Sequence, residues 1–525
     1  MGRFRPADVQ PELPIQDLIV DETPSEESLE FDVLFVGGGP GGLSGAIELA
    51  RLVKADNAVG DGLGDISIGV LEKAAALGEH CLSGSIVNPI TFRTLFPDLS
   101  DDDFPFRQRV EKEAVYVLGV GWLGKQAEAA GVDIFAGFPA EKLLVKADRV
   151  IGVRTAPTGL NRDGTPGSGH MPSTDIVAKI TALAEGSRGT LSQAYQEWQG
   201  IGAENPQIYA LGVKEIWETK KPLDTVIHTM GWPLPRDAFG GSFMYPLEPN
   251  LVSLGLVVGL DYRRSTLDVH ELLQRMKLHR LFRQYLEGGE MVEWGAKTIP
   301  EGGFYSIPDR RFGHGVIMVG DAAGFVNVPS LKGIHYAMQS GVYAARAIFD
   351  ALKKGETAAP YLSSYDELVK DSFIMDDLYR TRNMRLAFKN GFFVGGLKAV
   401  LMSLSRGRLF AKRIPMLRDA AVAKRIKPAK PFTPDGKLTF SKVDAVFKSG
   451  NATRDTIPTH LLADDYVAEE IAQMYASMCP AGVYEVVDHK LRVNAPNCVD
   501  CKATDVLGPR WTPREGGSGP AYKRM

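Results

Sequence analysis

The sequence has few cysteines, no excess of basic residues and no long apolar run. Four cysteines in 525 residues exclude a dense disulfide framework of the kind found in small secreted proteins. The formal net charge of −4 argues against a nucleic-acid-binding protein, because such proteins carry a strong basic excess. Uninterrupted apolar stretches of about 18 residues are absent, and no apolar run follows the first basic residues. We therefore expect neither a spanning helix nor a signal peptide.

The chain is rich in glycine, with 56 residues, as is typical of backbones that must approach a ligand closely. Residues 1–30 are rich in proline and acidic side chains and show no period, which predicts an extended arm or a disordered segment. From residue 31 onward, buried strands, glycine turns and helices alternate, so we predict a mixed α/β fold. A segment rich in proline and lysine at 425–437 separates this part from a C-terminal region that contains three of the cysteines.

A dinucleotide-binding motif opens the folded part of the chain. Gly37, Gly39 and Gly42 form G-x-G-x-x-G between an apolar strand and a helix. In this motif the glycines permit a tight turn, close approach of a pyrophosphate and close helix–strand packing. Glu72 ends the next strand, where a carboxylate can accept hydrogen bonds from ribose hydroxyls. A structural glycine turn with a surface glutamate is the alternative interpretation.

Two further segments resemble motifs shared by glutathione-reductase-like and hydroxylase-like flavoproteins. In GVIMVGDAAG, Gly320 and Asp321 stand where those proteins contact the ribityl chain of FAD. In ALAEGSRG, Glu185 and Gly186 end a strand as in their third shared motif. The three motifs together predict a Rossmann-type FAD-binding domain, whereas Asp321 alone could simply cap the next helix.

Several long segments closely resemble the electron transfer flavoprotein–ubiquinone oxidoreductase family. The resemblance runs from residue 31 to the C-terminus, with one gap, and rests on these segments: LEKAAALGEHCLSGSIVNP, HTMGWPLPRDAFGGSFMYPL, GLVVGLDYR, EGGFYSIP, GDAAGFVNVPSLKGIHYAMQSG, CPAGVYEV, NCVDCK and EGGSGPAY. It implies one FAD, one iron–sulfur cluster, and electron transfer from reduced electron transfer flavoprotein to ubiquinone or another membrane quinone. It also implies three units beyond the N-terminal arm of 1–30: an FAD-binding domain (31–190 with 300–360), a quinone-binding, membrane-associated region (191–299 with 361–430) and a small ferredoxin-like cluster domain (431–525).

The resemblance also implies where the quinone and the membrane bind. The segment FGGSF resembles the family's quinone-contacting turn, so Gly240 and Gly241 are the expected quinone-binding residues, with a plain β-turn as the alternative. Residues 388–410 are apolar with basic side chains at intervals, which fits a segment lying in a membrane interface, although a buried helix has a similar pattern. We expect a monotopic protein at the cytoplasmic face of a bacterial inner membrane.

The cysteine pattern departs from that family. Cys479, Cys498 and Cys501 are the expected cluster ligands, but Thr504 stands where the family has a fourth cysteine. A hydroxyl is a poor substitute for a thiolate on iron. Three outcomes stay open: a [3Fe–4S] cluster, a [4Fe–4S] cluster with water, Asp500 or Asp505 on the fourth iron, or no stable cluster. Zinc, with His489 nearby in sequence, is a further alternative.

A second departure lies around residues 105–121, where the family has roughly twenty residues more. Cys81 stands in a stretch expected near the flavin, but no nearby cysteine could pair with it, so we interpret it as a packing residue. Two rival functions remain: an FAD-dependent monooxygenase or isoprenoid reductase of similar fold, and a catalytically impaired homologue. No catalytic acid, base or nucleophile is expected for the leading function.

Overall fold

The computed structural model describes residues 2–60, 62–83, 87–106, 120–330, 332–464 and 466–525. Its α-helices, in chain order, are α1 (Ile15–Leu18), α2 (Pro40–Asn57), α3 (Ile90–Leu95), α4 (Val120–Ala129), α5 (Thr190–Trp198), α6 (Val269–Lys277), α7 (Arg280–Leu286), α8 (Ile334–Lys353), α9 (Ala359–Leu362), α10 (Ser364–Lys370), α11 (Phe373–Thr381), α12 (Phe392–Leu404), α13 (Lys442–Phe447), α14 (Glu469–Met478) and α15 (Ala503–Leu507). Its strands are β1 (Arg3–Phe4), β2 (Ile19–Val20), β3 (Leu29–Val36), β4 (Ile68–Glu72), β5 (Asp133–Ala136), β6 (Ala140–Lys146), β7 (Arg149–Thr155), β8 (Thr158–Leu160), β9 (Pro166–Met171), β10 (Asp175–Leu183), β11 (Tyr209–Glu218), β12 (Ile227–Met230), β13 (Gly240–Glu248), β14 (Leu251–Gly259), β15 (Glu290–Pro300), β16 (Phe312–Gly313), β17 (Val316–Met318), β18 (Lys424–Arg425), β19 (Leu461–Leu462), β20 (Tyr484–Val487), β21 (Lys490–Val493) and β22 (Arg510–Trp511).

The larger sheet has the strand order β2-β6-β7-β10-β3-β4-β5, with β17 beside β10 and β16 beside β17. Strands β10, β3, β4 and β5 run parallel. The second half of β3 is apolar and buried, and seven of the nine residues of β10 are buried, as expected of parallel strands that helices cover on both faces. Helices α2 and α8 belong to the core on this sheet. Because parallel strands share one carboxyl edge, the segments after β3, β4 and β10 meet there.

The smaller sheet is antiparallel, in the order β12-β13-β14-β11-β15. All of β14 and all but the last residue of β11 are buried, so both faces of the sheet centre are covered. One hydrophobic cluster joins Trp217 and Trp294 of this sheet to Tyr475 of α14. The C-terminal region therefore shares a core with this sheet. The domain boundaries given above stay a prediction.

A charged pair lies inside that shared core. Lys277 and Glu215 are both fully buried, and the Lys277 ammonium lies 2.8 Å and 3.0 Å from the two carboxylate oxygens. The same carboxylate accepts hydrogen bonds from Trp217 Nε1 at 2.7 Å and Gln274 Nε2 at 2.9 Å. The pair is thus fully satisfied, which is the condition under which buried charges are tolerated.

The N-terminal arm is ordered. Helix α1 leads into β2, which joins β6 in parallel, and β1 pairs with β18. The Gln10 side chain donates hydrogen bonds to the backbone carbonyls of Asp505 and Gly508. The disordered alternative for residues 1–30 is therefore wrong for the described residues 2–30, because these long-range contacts, invisible to local composition, hold the arm.

Candidate functional site

The glycine turn after β3 forms a cradle at the carboxyl edge of the larger sheet. Gly37 has a positive φ of 120°, and a Cβ atom there would lie 2.3 Å from the Ala184 carbonyl oxygen. A Cβ atom on Gly42 would lie 2.1 Å from the Gly37 carbonyl oxygen, whereas one on Gly39 would meet no atom within 4 Å. The first and last glycines are thus required by packing, and the middle one leaves open space for a ligand at the start of α2.

The two glutamates predicted to bind the cofactor, Glu72 and Glu185, differ in the backbone groups that their carboxylates accept from. Glu72, at the end of β4, accepts hydrogen bonds from the backbone N–H groups of Gly38 at 3.1 Å and Ala74 at 2.8 Å, which ties it to the glycine turn. Glu185 accepts from the backbone and hydroxyl of Ser192 and from the Leu191 N–H. Its carboxylate therefore satisfies two free N–H groups in the first turn of α5. Because Glu185 lies four residues before the N-cap Gly189, no local capping pattern indicated this role.

One cavity of about 840 Å³ brings the predicted cofactor and quinone residues together. Its lining includes Gly37, Gly39, Glu72, Glu185, Gly240, Gly241, Gly320 and Asp321. Gly42 lies behind the turn and supports it. The volume and the mix of apolar walls with a few polar groups are those of a site for a large cofactor, so the residues present fit FAD. The individual roles of these residues stay predictions.

Three lysines line the same cavity on the side of the C-terminal region: Lys73, Lys297 and Lys502. Burial and the neighbouring Lys73 lower the pKa of both Lys297 and Lys502, the latter to about 7. Burial raises the pKa of Asp321 to about 6, against the opposing effect of Lys297. When they are protonated, these side chains favour a ligand that carries or gains negative charge, such as a diphosphate or an electron-rich ring.

The end of the cavity that reaches α12 is lined mainly by apolar side chains, with the buried Arg385 stacked on Phe239. Phe239, Phe388 and Ala399 line it there. On its outer side α12 exposes a stripe of apolar side chains at helical spacing: Phe393, Leu397, Val400 and Leu404. Among the described residues, no helix is both long and apolar enough to cross a membrane.

The three C-terminal cysteines lie together in the interior. Cys479, Cys498 and Cys501 are all buried and free of disulfides. Burial raises the pKa of the Cys501 thiol well above its ordinary value, and the nearby Cys479 and Cys498 raise it further. Buried thiols grouped in this way form thiolates readily only when a cation binds them. The donor set fits an iron–sulfur cluster held by three cysteines.

Thr504 does not supply a fourth soft ligand. Its hydroxyl donates a hydrogen bond to the Pro509 carbonyl at 3.0 Å and lies 2.6 Å from the Tyr484 hydroxyl. Since the Thr504 proton goes to the carbonyl, the Tyr484 hydroxyl is the donor in the second contact. Tyr484 lies in the segment CPAGVYEV. Because it is twenty positions from Thr504, no local sequence pattern indicates that the two side chains pair.

The two candidate substitute ligands, Asp500 and Asp505, both pair with cations, and Asp500 also accepts a hydrogen bond from the Cys498 thiol at 3.7 Å. Asp500 pairs with Lys73 and with Arg514, the latter at 3.0 Å, and accepts from Trp511 Nε1 at 3.2 Å. Asp505 pairs with Arg188 at 2.6 Å. The Lys73–Asp500 and Arg188–Asp505 pairs join the C-terminal region to the segments that follow β4 and β10 beside the cofactor cavity.

Of two histidines in the C-terminal region, His460 lies beside a cysteine and His489 lies on the surface. His489 is exposed and pairs with Glu469 at 2.8 Å on the surface, which contradicts its proposed role as a zinc ligand. His460, which the sequence did not single out, is buried with no hydrogen bond to either ring nitrogen. Ligand atoms of His460, Cys498 and Asp500 lie within 4.8 Å of one another.

Cys81 lies in the wall of the cofactor cavity. Burial, followed by the neighbouring Glu72, raises the pKa of its thiol to about 12, so it remains protonated. A protonated thiol is a packing group and not a nucleophile. The shortened segment around 105–121 falls largely on residues 107–119, outside the described residues.

Two family models match the chain. The model described as "ETF-QO, ubiquinone-binding" matches residues 209–299. The model described as "Electron transfer flavoprotein-ubiquinone oxidoreductase, 4Fe-4S" matches residues 436–523.

Curated relatives match nearly the whole chain. The mitochondrial electron transfer flavoprotein–ubiquinone oxidoreductase of Arabidopsis thaliana is 37% identical to this chain. The alignment covers 95% of this chain and 85% of the relative. The protein of that name in Pseudomonas aeruginosa is 36% identical over 95% of this chain and all of its own length. The human mitochondrial protein is 36% identical over 94% of this chain and 89% of its own.

A solved structure shares the fold. A geranylgeranyl bacteriochlorophyll reductase-like protein from Thermoplasma acidophilum superposes with a TM-score of 0.56 at 18% identity, covering 75% of this chain and 95% of that one. At this identity the likeness concerns the fold alone.

Proposed function

The chain belongs to the electron transfer flavoprotein–ubiquinone oxidoreductase family, and we propose that it passes electrons from reduced electron transfer flavoprotein to ubiquinone or a similar membrane quinone. Its cofactors are FAD and an iron–sulfur cluster. FAD exchanges one or two electrons and the cluster exchanges one, which matches a one-electron donor to a two-electron acceptor. The observation that supports this best is the single cavity that runs from the glycine cradle to the apolar helix α12.

The protein's own groups position and tune these cofactors. In the proposal, the turn at Gly37 and Gly39 receives the pyrophosphate, and Glu72 receives the ribose hydroxyls. Lys73, Lys297 and Lys502 stabilise the negative charge that reduction brings into the cavity. Gly240 and Gly241 present backbone groups to the quinone head. No side-chain nucleophile or covalent intermediate is required, since only electrons and protons move.

The proposed activity is tested with the purified holoprotein under anaerobic conditions. We expect enzymatically reduced electron transfer flavoprotein to bleach the bound flavin, and a short-chain ubiquinone to restore its absorbance and turn over continuously. Quinone added without the donor is the control. Protein that purifies without a yellow chromophore, or that turns over no quinone, would contradict the proposal. Oxygen-dependent hydroxylation of a small molecule would instead favour the monooxygenase alternative.

We further propose that α12 lies in the membrane interface and admits the quinone tail. Phe393 and Leu404 are 73% and 79% exposed, and Arg406 and Arg408 follow at the end of the helix. An apolar stripe beside basic side chains is the pattern of an interfacial helix next to anionic lipid. This fits a peripheral protein. Assignment to the cytoplasmic face of a bacterial inner membrane remains part of the proposal.

Replacing Phe393 and Leu404 together by aspartate is expected to lower binding to phosphatidylglycerol-containing vesicles at least tenfold. Each side chain contributes roughly 1.5–3 kcal/mol when it leaves water, and the new carboxylates repel anionic lipid. Co-sedimentation with vesicles measures the effect. The matched control replaces Val59 and Phe447 together by aspartate; these residues are 86% and 83% exposed but lie outside α12. Equal losses in both double variants would mean that α12 is not the membrane-binding element.

A further inference from the structure

The C-terminal cysteine site differs from the one its family model describes. That model is named for a [4Fe–4S] cluster, which four cysteine thiolates normally hold. The chain has three cysteines in this region, and Thr504 stands in the fourth position. The question is whether another described side chain supplies the missing ligand.

Thr504 itself is committed to oxygen partners. Its hydroxyl lies between the Pro509 carbonyl and the Tyr484 hydroxyl, at 3.0 Å and 2.6 Å. To bind iron, the hydroxyl would have to release both partners and lose its proton. A hard alkoxide also suits a sulfide-bridged iron poorly compared with a thiolate. The Tyr484–Thr504–Pro509 chain of hydrogen bonds therefore fixes an oxygen at this position as a structural group.

Neither carboxylate is free to bind iron. Asp500 is 1% exposed and is held by Lys73, Arg514 and Trp511, and it also accepts a hydrogen bond from the Cys498 thiol at 3.7 Å. Turning it toward iron would leave two buried or half-buried cations without a counter-charge, at a cost that a single oxygen ligand does not offset.

Asp505 is held in the same way. It is 2% exposed and fixed by Arg188, by the Gln193 side chain at 3.2 Å and by the backbone of Trp511. Both carboxylates thus serve to attach the cysteine region to the rest of the protein.

His460 is the remaining rival among the described residues. Its ring is buried without a hydrogen bond, and one ring nitrogen lies within 4.8 Å of Cys498 Sγ. That placement suits an N–H group donating to the Cys498 thiolate, which would satisfy the otherwise orphaned ring. His460 is thereby assigned a hydrogen bond to Cys498, and the pulsed spectra described below test whether it binds iron instead.

We infer that Cys479, Cys498 and Cys501 hold a cluster with no protein ligand in a fourth position and that this cluster is [3Fe–4S], where the family model names [4Fe–4S]. A [4Fe–4S] cluster with water on its fourth iron is the alternative that the spectra below distinguish. This inference rests on the iron–sulfur part of the proposed function. Beyond that function, it specifies the number of iron atoms in the cluster, which determines the charge of the cluster and its electron paramagnetic resonance signature.

The test is spectroscopy on the anaerobically purified holoprotein. We expect an iron to acid-labile sulfide ratio near three to four, and a resonance signal in the oxidised protein that disappears on reduction. A signal that appears only after reduction, or protein without iron, overturns the inference. So does nitrogen coupling from a bound imidazole in pulsed spectra, which would make His460 a ligand. Quinone reduction is measured on the same preparation, so failure of the proposed function is seen separately.

The variant Thr504→Cys is expected to change the cluster type. A thiol in the fourth position should abolish the oxidised-state signal and produce one in the reduced state, with the iron to sulfide ratio rising to about one. Thr504→Ser keeps the hydroxyl and should retain the wild-type spectrum. Flavin content serves as the check that each variant folds. An unchanged spectrum in a folded Thr504→Cys protein would contradict the inference.

Discussion

Replacing Lys277 with methionine is expected to lower the free energy of unfolding by about 3–5 kcal/mol, because it leaves Glu215 buried and without its counter-charge. Lys277 and Glu215 are both fully buried, so water cannot replace the lost ammonium group. The hydrogen bonds from Trp217 and Gln274 remain but do not neutralise the carboxylate. Urea unfolding followed by tryptophan fluorescence measures the change, since Trp217 contacts the pair directly.

Two controls make this result specific. Arg283→Met breaks an exposed pair with Glu287 on the neighbouring helix α7, and we expect a loss below about 0.5 kcal/mol. The double variant Lys277→Met with Glu215→Gln removes both charges and keeps an acceptor for Trp217, so it should recover most of the stability. If the single and double variants unfold alike, lost packing and not the uncompensated charge is the cause.

Replacing Asp500 with asparagine is expected to have a comparable effect on the site itself. The change keeps the shape of the side chain but leaves Arg514 and Lys73 without their shared negative partner. We expect a loss of about 3–5 kcal/mol, together with reduced iron and FAD content, because Lys73 directly follows Glu72 in the wall of the cofactor cavity. Thermal unfolding and cofactor analysis measure these effects.

The difference in unfolding free energy between the wild type and the Asp500→Asn variant depends on pH in a definite direction. Although burial alone would raise it, Arg514 and Lys73 hold the pKa of Asp500 well below its ordinary value. A carboxylate whose pKa is lower in the folded than in the unfolded protein stabilises the fold at pH values above its unfolded pKa of about 3.9. This stabilisation is lost as the pH falls below that value. The gap between wild type and variant should therefore stay constant from pH 5 to 8 and shrink below about pH 4. Asp488→Asn, at an exposed residue of the same region, should show no such gap.

Local patterns predicted the parts of the site that neighbouring residues build. The strand, glycine turn and helix around Gly37 and Gly42 follow a local spacing pattern, so the sequence indicated them. The Ala184 carbonyl that excludes a side chain at Gly37 lies far along the chain and could not be read from that pattern. The mixed α/β fold and the family assignment are likewise confirmed by the structure and by the relatives. Gly240 and Gly241 could be placed in the same cavity only through the family resemblance, because some two hundred residues separate them from the glycine cradle.

Pairing between distant residues could not be predicted in this way. Lys73 and Asp500 are 427 positions apart, and nothing in either segment names its partner. The same holds for Arg188 and Asp505, 317 positions apart. From the sequence alone, Asp500 and Asp505 are therefore both candidate iron ligands. The structure shows that opposite charges from the cofactor-binding part already occupy them.

The contacts of Gln10 with the last turns of the chain bear on how the protein is made. Gln10 and its partners are 495 and 498 positions apart, and Arg510 donates to the Pro11 carbonyl from 499 positions away. At about 5–20 residues per second, a ribosome needs roughly 25–100 s to cover that distance. Gln10 thus waits for residues made some five hundred positions later before it can dock. Docking of the arm is therefore a late event in synthesis, and a chain terminated before Asp505 would never complete it.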